Sequence, residues 1–460
     1  MEAVLLIDFG STNTKVSAVD IQGQVLLGTT TAFTTVETDI GEGLAEALET
    51  LERKIGSFSF SLRFACSSAA GGLRMVTSGL VPALTAEAAR LASLGAGAKV
   101  VRIFSYELTE EDISEITAIN PDIFLLTGGV DGGNRECILH NARMLASCPA
   151  AFPVIIAGNR GAGAECEKIL KNREVIRCPN VMPQLNKLNI EPVQEEIRRL
   201  FLRRIIHAKG LSREQALISG ILMPTPSAVK RALELLARGT DHQPGIGDLV
   251  AVDLGGATTD VYSVASGLPQ ATDVLLKGLP EPVSKRTVEG DIGMRYSAAG
   301  VLEAVGAQRL AALSGLTITE AGQRVAYLGT HPEVIPVTPE ESALDFALAA
   351  AALETAVTRH AGTIEEVYTP LGQTFVQMGK DLTAVPNLVL TGGAVIHNPR
   401  VAELGSYALY NKATPASLRP KAAKRSLDKS YILAAMGLLA ETYPDCALTV
   451  MKKEIHVYGT

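Results

Sequence analysis

Leu5-Leu6-Ile7-Asp8-Phe9-Gly10-Ser11-Thr12-Asn13-Thr14-Lys15 is an apolar run that ends in an aspartate and breaks into a turn of glycine, hydroxyls and an amide. The same pattern recurs at Val250-Ala251-Val252-Asp253-Leu254-Gly255-Gly256-Ala257-Thr258-Thr259-Asp260. A third piece, Leu388-Val389-Leu390-Thr391-Gly392-Gly393-Ala394, repeats the step from apolar run to glycine pair. Short apolar runs bounded by turn residues read as buried strands. One such turn is equally well an ordinary hairpin. Three in this order point to a nucleotide held between two related lobes.

The residue types suit that chemistry. Glycines let successive main-chain N–H groups approach a phosphate and form an anion-binding concavity. The expected nucleotide-binding set is therefore Gly10, Ser11, Thr12, Asn13, Thr14 and Lys15, then Gly255, Gly256, Ala257, Thr258 and Thr259, then Gly392, Gly393 and Ala394. Hydroxyls add donors, and Lys15 either neutralises phosphate or is a solvated strand residue. Asp8 and Asp253 are the expected catalytic and metal-holding carboxylates. Mg²⁺ keeps several waters and bridges one or two carboxylates to phosphates.

This arrangement resembles the actin, Hsp70 and sugar-kinase superfamily of ATPases. Asp8–Lys15 resembles its first phosphate motif, Asp253–Asp260 its second and Leu388–Ala394 its adenosine motif. Met223-Pro224-Thr225-Pro226-Ser227-Ala228-Val229 looks like the entry to its first connecting helix, and Ser430–Leu438 like the second. The resemblance implies an α/β fold: two actin-like (ribonuclease H-like) lobes around a nucleotide cleft, with ATP and Mg²⁺ as cofactors. Met223 stands where the Hsp70 branch has a water-organising Glu, and aromatic and acidic sugar-binding motifs are missing. The expected activity is accordingly a weak Mg²⁺-dependent ATPase or a nucleotide-gated switch.

Composition agrees. The 460 residues are 47% hydrophobic and 20% charged, enough for two or three domains and a large core. The net charge of −7 argues against nucleic acid as a partner. No CxxC pair occurs among Cys66, Cys137, Cys148, Cys166, Cys178 and Cys446, so buried thiols in a reducing cytoplasm are expected. That spacing also speaks against the cluster-bearing dehydratase activators of the superfamily. No basic leader or membrane-length apolar run is visible.

Between the two phosphate motifs the pattern changes to β/α alternation. Lys99–Phe104, Asp122–Thr127, Pro153–Ala157 and Glu174–Arg177 read as strands, with helices between them and Thr109 as one N-cap. Thr85 reads as the N-cap of an earlier helix, Thr85–Leu94. The expected division is an N-terminal lobe at 1–96 and 213–245, an inserted small parallel α/β domain with a helical extension at 97–212, a C-terminal lobe at 246–445 and a tail at 446–460, read as a strand pair. The insertion carries Gly128-Gly129-Val130-Asp131-Gly132-Gly133-Asn134. Gly128, Gly129, Asp131, Gly132, Gly133 and Asn134 are either a second ligand or partner site or tight turns that need glycine. Lys285–Arg295 reads as a polar cleft segment that brings Arg286 or Arg295 to the nucleotide, or as a surface loop.

The combination is narrower than the superfamily. The Ile7–Lys15, Leu126–Asn134 and Val288–Arg295 segments are similar to those of the MutL-like accessory protein of adenosylcobalamin-dependent glutamate (methylaspartate) mutase, a family unrelated to the mismatch-repair protein of that name. The resemblance implies an ATP-dependent chaperone or reactivating factor that releases damaged cobalamin from such a mutase. A small-molecule kinase, with Asp131 or Asp291 as its base, and an actin-like scaffold or filament protein are the other readings.

Overall fold

The computed structural model describes residues 3–10, 13–33, 40–56, 59–68, 73–208, 221–370 and 372–459. Its first sheet is built from β1 (Ala3–Phe9), β2 (Asn13–Asp20), β3 (Val25–Phe33), β4 (Phe60–Ser67) and, much later in the chain, β10 (Ile221–Pro224). The order is β10-β4-β1-β2-β3. β1, β2 and β3 pair antiparallel, and β4 and β10 add in parallel. β1 is buried along its whole length, as expected of a central strand covered on both faces.

Between β4 and β10 the chain forms β5 (Arg74–Gly79), β6 (Lys99–Ser105), β7 (Ile123–Leu126), β8 (Val154–Ile156) and β9 (Val175–Arg177). They make an all-parallel sheet of order β6-β5-β7-β8-β9. Helices alternate with the strands, and period-two alternation fills a core on each face. Phe124 and Leu126 of β7 enter one cluster, Ile123 and Leu125 the other. The sheet expected to begin after residue 97 also takes in β5. β5 was missed because Arg74–Gly79 is only six residues long and carries no alternating apolar pattern.

Ligands in such sheets usually sit in the crevice where strand order reverses, here between β5 and β7. This chain fills that crevice with its own Pro82–Ala86 turn, which is π-helical. Thr127 Oγ1 donates to the carbonyls of Ser78 (2.7 Å) and Thr85 (3.3 Å), and a Cβ on Gly79 would lie 2.4 Å from Ala86 N. The helix expected from Thr85 starts instead at Glu87. Thr85 Oγ1 accepts from Leu80 N and Val81 N, so it closes the preceding turn. Thr109 does cap the Glu110–Ile119 helix, in a capping box with Asp112.

The later sheet repeats the first. β11 (Leu249–Leu254), β12 (Thr259–Val264), β14 (Ser284–Glu289), β17 (Asn387–Thr391) and β18 (Lys424–Asp428) run in the order β14-β12-β11-β17-β18. Three antiparallel strands are again followed by two parallel ones. This duplicated five-strand topology, with the apolar run and Asp on the first strand of each copy, is the actin-like fold. β13 (Val274–Lys277), β15 (Thr363–Thr369) and β16 (Gly372–Met378) form a small separate sheet. The tail is a helix, Pro444–Glu454, and one strand, β19 (Ile455–Gly459), added antiparallel to β18, rather than a strand pair.

Two compact units result: Met1–Arg231 with Gly278–Pro280 and Ala434–Ala447, and Ala232–Lys277 with Glu281–Leu433 and Leu448–Thr460. The first division falls inside the Thr225–Arg238 helix, earlier than the expected boundary near 245. The six cysteines are free, and five are buried. Among the described residues no helix is long and apolar enough to cross a membrane.

One buried cation has a measurable consequence. Lys380 is 1% exposed, and its ammonium donates to the carbonyls of Pro282 and Val283. Burial pulls its pKa down to about 7, against a smaller opposing pull from Glu281. Above pH 7 the unfolded chain therefore binds more protons at this site than the folded one, and stability rises with pH. From pH 7 to about 8.5, below the thiol range, the native chain should gain stability relative to Lys380→Met. Urea unfolding of both across that window would refute this if the two curves stay parallel.

Candidate functional site

Asp8 ends β1 as a buried carboxylate, 4% exposed. β2, β4 and the residue after β10 each bring one donor to it. Lys15, opposite Asp8 in the β1/β2 register, places Nζ 3.3 Å from Oδ2. Cys66, opposite it on β4, donates Sγ–H to Oδ1 at 3.4 Å. Burial first, and then the Asp8 charge, push the Cys66 thiol well above its usual range, so it stays protonated and a donor. Thr225, the first residue after β10, donates Oγ1–H to the same Oδ1 at 2.6 Å.

The turn after Asp8 is tight. Gly10 N donates to Asn13 O at 3.1 Å, and a Cβ on Gly10 would lie 2.5 Å from that oxygen. Asn13 is exposed and Thr14 is fully buried. Ser11 and Thr12 lie outside the described residues.

The second unit repeats the plan. Asp253 ends β11, half-buried, and Gly255 N donates to Thr258 O at 3.0 Å. Gly256 and Ala257 form the exposed tip of this turn, with Thr258 half-buried behind it. Thr259 is buried, and its hydroxyl donates to Ile292 O at 2.9 Å, so this hydroxyl serves the fold. Gly392, just past β17, has φ +102°, and a Cβ there would lie 2.3 Å from Leu254 O and 2.9 Å from Asp253 Oδ1. Only a glycine lets these two turns approach so closely. Gly393 is exposed and opens the Gly393–Ile396 helix, and Ala394 is half-buried.

Besides Cys66, three participants escaped the sequence reading. Tyr431 donates its hydroxyl to Asp253 Oδ1 at 3.3 Å, and it adopts φ +52° to do so. Thr225 and Tyr431 are thus counterparts: in each unit the segment after the fifth strand supplies a hydroxyl to the aspartate that ends the first. The third is Asp428, fully buried, which accepts from Ile432 N, Leu433 N and Thr391 Oγ1. It caps the Leu433–Leu439 helix and ties the end of β17 to it. Thr225 was signalled by the Pro-Thr step into a helix. Tyr431 and Asp428 carry no local signal, because their roles depend on strands 37 or more residues away.

The Lys285–Arg295 segment reaches the second turn through its backbone. Met294 N and Arg295 N donate to the Gly255 and Gly256 carbonyls, and a Cβ on Gly293 would sit 2.6 Å from Ala257 C. The guanidiniums go elsewhere. Arg286 pairs with Asp260 at 2.6 Å, and Arg295 makes a two-pronged pair with Asp345 at 2.8 and 3.0 Å. Each expected phosphate ligand is therefore neutralised by a carboxylate of its own unit. Asp291, a candidate kinase base, is paired with Arg359 at 3.0 Å.

Among the described residues no cluster of three or more His, Cys, Asp or Glu forms a metal cage. A hydrated Mg²⁺ does not need one. Of the two carboxylates, Asp253 is the more open, whereas Asp8 already accepts from three side chains. A water-mediated metal contact fits Asp253, with Asp8 held as the anion beside Lys15.

The Gly128–Asn134 segment, read as either a second site or tight turns, closes on itself. Gly129 (φ +70°) and Gly132 (φ +79°) occupy the left-handed region, and a Cβ on Gly129 would lie 2.1 Å from Asn134 O. Asn134 Oδ1 accepts from Cys137 N at the start of the next helix. Gly128 and Gly133 serve the same turn, with Gly133 N donating to Val130 O. Asp131 differs from these, because it lines a cavity.

Thr225→Val should show the worth of the shortest contact to Asp8. It deprives a buried carboxylate of one donor, at a cost of about 1–3 kcal/mol. Denaturant unfolding should report that loss, and a stability equal to that of the native chain would refute it.

The family described as MutL protein matches residues 4–455 of the chain. Protein MutL of Clostridium tetanomorphum is 47% identical over 457 residues, covering 98% of this chain and 99% of that one. Among solved structures, gluconate kinase from Lactobacillus acidophilus is 12% identical with a TM-score of 0.38, covering 99% of this chain and 92% of that chain. A glycerol dehydratase reactivase is 11% identical with a TM-score of 0.35, covering 96% and 99%.

Proposed function

The chain belongs to the MutL protein family, and from that premise we propose that it is an ATP-dependent chaperone or reactivating factor for an adenosylcobalamin-dependent amino-acid mutase of the glutamate mutase type, promoting release of damaged cobalamin. The observation that supports a nucleotide-driven role is the repeated site. Two copies of one topology each end their first strand in an aspartate, follow it with a glycine turn and receive a hydroxyl from beyond the fifth strand. Duplicated carboxylate-and-turn geometry exceeds what a stable sheet needs.

In this reading the Gly10–Lys15 and Gly255–Thr258 turns hold phosphate through main-chain N–H groups. Gly392, Gly393 and Ala394 face the nucleoside. Bound Mg²⁺ would supply charge neutralisation at the phosphates, with Asp253 orienting its waters and Asp8 held beside Lys15. Tyr431 and Thr225 fix those two carboxylates in place. A ligand shifts a conformational equilibrium only through differential affinity for its states. The ATP-bound and ADP-bound forms should therefore differ in affinity for the mutase.

The test uses the purified full chain, a cobalamin-dependent glutamate mutase loaded with hydroxocobalamin, and Mg²⁺ with ATP, ADP or neither. Cobalamin leaving the mutase only with ATP is the expected result. Equal release in all three conditions would sink the reactivase role. Stimulation of ADP formation by a small-molecule substrate, with no effect on the mutase, would move the assignment to a kinase. ATP-dependent sedimentation of the chain alone would move it to a scaffold.

A further inference from the structure

The C-terminal edge of the parallel sheet carries a cavity of about 290 Å³. It sits beyond the ends of β8 and β9 and is lined by Asp131, Asn159, Arg160, Arg177, Asn180 and Asn189, among others. None of these belongs to the Asp8 or Asp253 turns. The crevice that usually takes a ligand in this topology is filled by Pro82–Ala86, and this cavity is an opening elsewhere on that edge.

The hydrogen bonds around it separate framework from free valence. Asn159 donates both Nδ2 protons, to the Gly133 and Asn134 carbonyls, and accepts from Gly161 N. Asn180 donates to Gly129 O and Asp131 Oδ1 and accepts from Met182 N. Both amides have used their two N–H donors and hold the loops together. Asp131 Oδ1 is also occupied, by Asn180 Nδ2 and by Arg160 N at 2.9 Å.

Asp131 Oδ2 has no partner among the described residues, and neither has the Arg160 guanidinium. Arg160 is thus anchored through its backbone to the carboxylate its side chain does not pair with. Arg177 makes only an exposed contact to Glu167 at 3.6 Å, a geometry worth little in water. One carboxylate oxygen and two guanidiniums of complementary charge therefore line a single cavity without neutralising each other. Asp131 is half-buried and both arginines are exposed, so a ligand that carries both characters can reach all three.

We propose that this cavity binds a small organic anion that also carries a hydrogen-bond donor. Its carboxylate or phosphate meets Arg160 and Arg177, and its ammonium or hydroxyl meets Asp131 Oδ2. The volume lies at the low end for ligand pockets and suits a molecule of amino-acid or triose-phosphate size. The glycine-rich segment then has a divided role: its glycines shape the turn and Asp131 recognises the ligand. This proposal is independent of the nucleotide reading, and failure of either leaves the other standing.

Isothermal titration of the full chain with L-serine, L-lactate, glycerol phosphate and inorganic phosphate tests it, with sorbitol as a neutral control. At least one organic anion should bind at sub-millimolar concentration, and sorbitol should not. Serine without lactate would place an ammonium at Asp131; both together would place a hydroxyl there. Glycerol phosphate alone would select phosphate over carboxylate at the arginines. Arg160→Ala and Asp131→Asn should each weaken binding at least about tenfold, or about 1.4 kcal/mol. The asparagine keeps an oxygen for Arg160 N, and the Arg160 guanidinium has no structural partner, so unfolding without probe should be unchanged. No binding by any organic anion at millimolar concentration, or binding untouched by both variants, would overturn the proposal.

Discussion

Asp253→Ala should lower ATP hydrolysis about 100-fold, the upper end of what losing one outer partner of a metal typically costs. The carboxylate sits where β11 stops and the Gly255–Thr258 turn starts, held by the Tyr431 hydroxyl and approached by Gly392. Its loss removes the charge of a half-buried side chain from the turn. Asp253→Asn keeps the volume and an oxygen for Tyr431, so it isolates the charge. Both variants should fold normally and fail to bind Mg²⁺-ATP by calorimetry. Asp8→Ala should lose activity too, but less informatively, because it strands Lys15, Cys66 and Thr225 around a hole. Native-like ATP binding by Asp253→Ala would remove this turn from the proposed site.

The largest stability effect is expected from Gly392→Ala. The residue sits at φ +102°, a region that costs an L-residue about 1–3 kcal/mol. The added methyl would also meet Leu254 O at 2.3 Å and Leu254 N at 2.7 Å, both backbone atoms of a central strand. Neither can rotate away, so β17 and β11 would have to separate. A total above about 4 kcal/mol follows, in the range that marks a diagnostic core defect. The neighbouring Gly393→Ala is the control, because nothing lies within 4 Å of its added Cβ and its φ is not positive. Thermal unfolding should show a large drop for the first and almost none for the second. Equal behaviour of the two would refute the close-packing account.

Much of the fold could be read from local pattern. Leu5–Ile7 and Val250–Val252 are apolar without alternation, which in strands means burial on both faces, and both proved central. Glycine at 10, 255 and 392 marked the turns because no other residue tolerates those approaches. The charged segment at Lys285–Arg295 misled, since charge alone does not say whether a guanidinium meets a phosphate or a carboxylate. Asp260 and Asp345 settled that, at separations no window along the chain can span.

The residues along the chain were enough to point to two related halves, the sequence of their motifs and the aspartates at their turns. These are near-neighbour properties: periodicity, turn sterics and the burial they require. Only tertiary structure decided what each aspartate touches. Thr225 comes to Asp8 from 217 positions away and Tyr431 to Asp253 from 178. It also decided that Pro82–Ala86 fills the usual crevice and that Asp131 keeps one oxygen for the cavity beside it. Hydrogen-bond partners and cavities depend on distance in space. Distance along the chain constrains that only within an element, and the partners that matter here come from different strands.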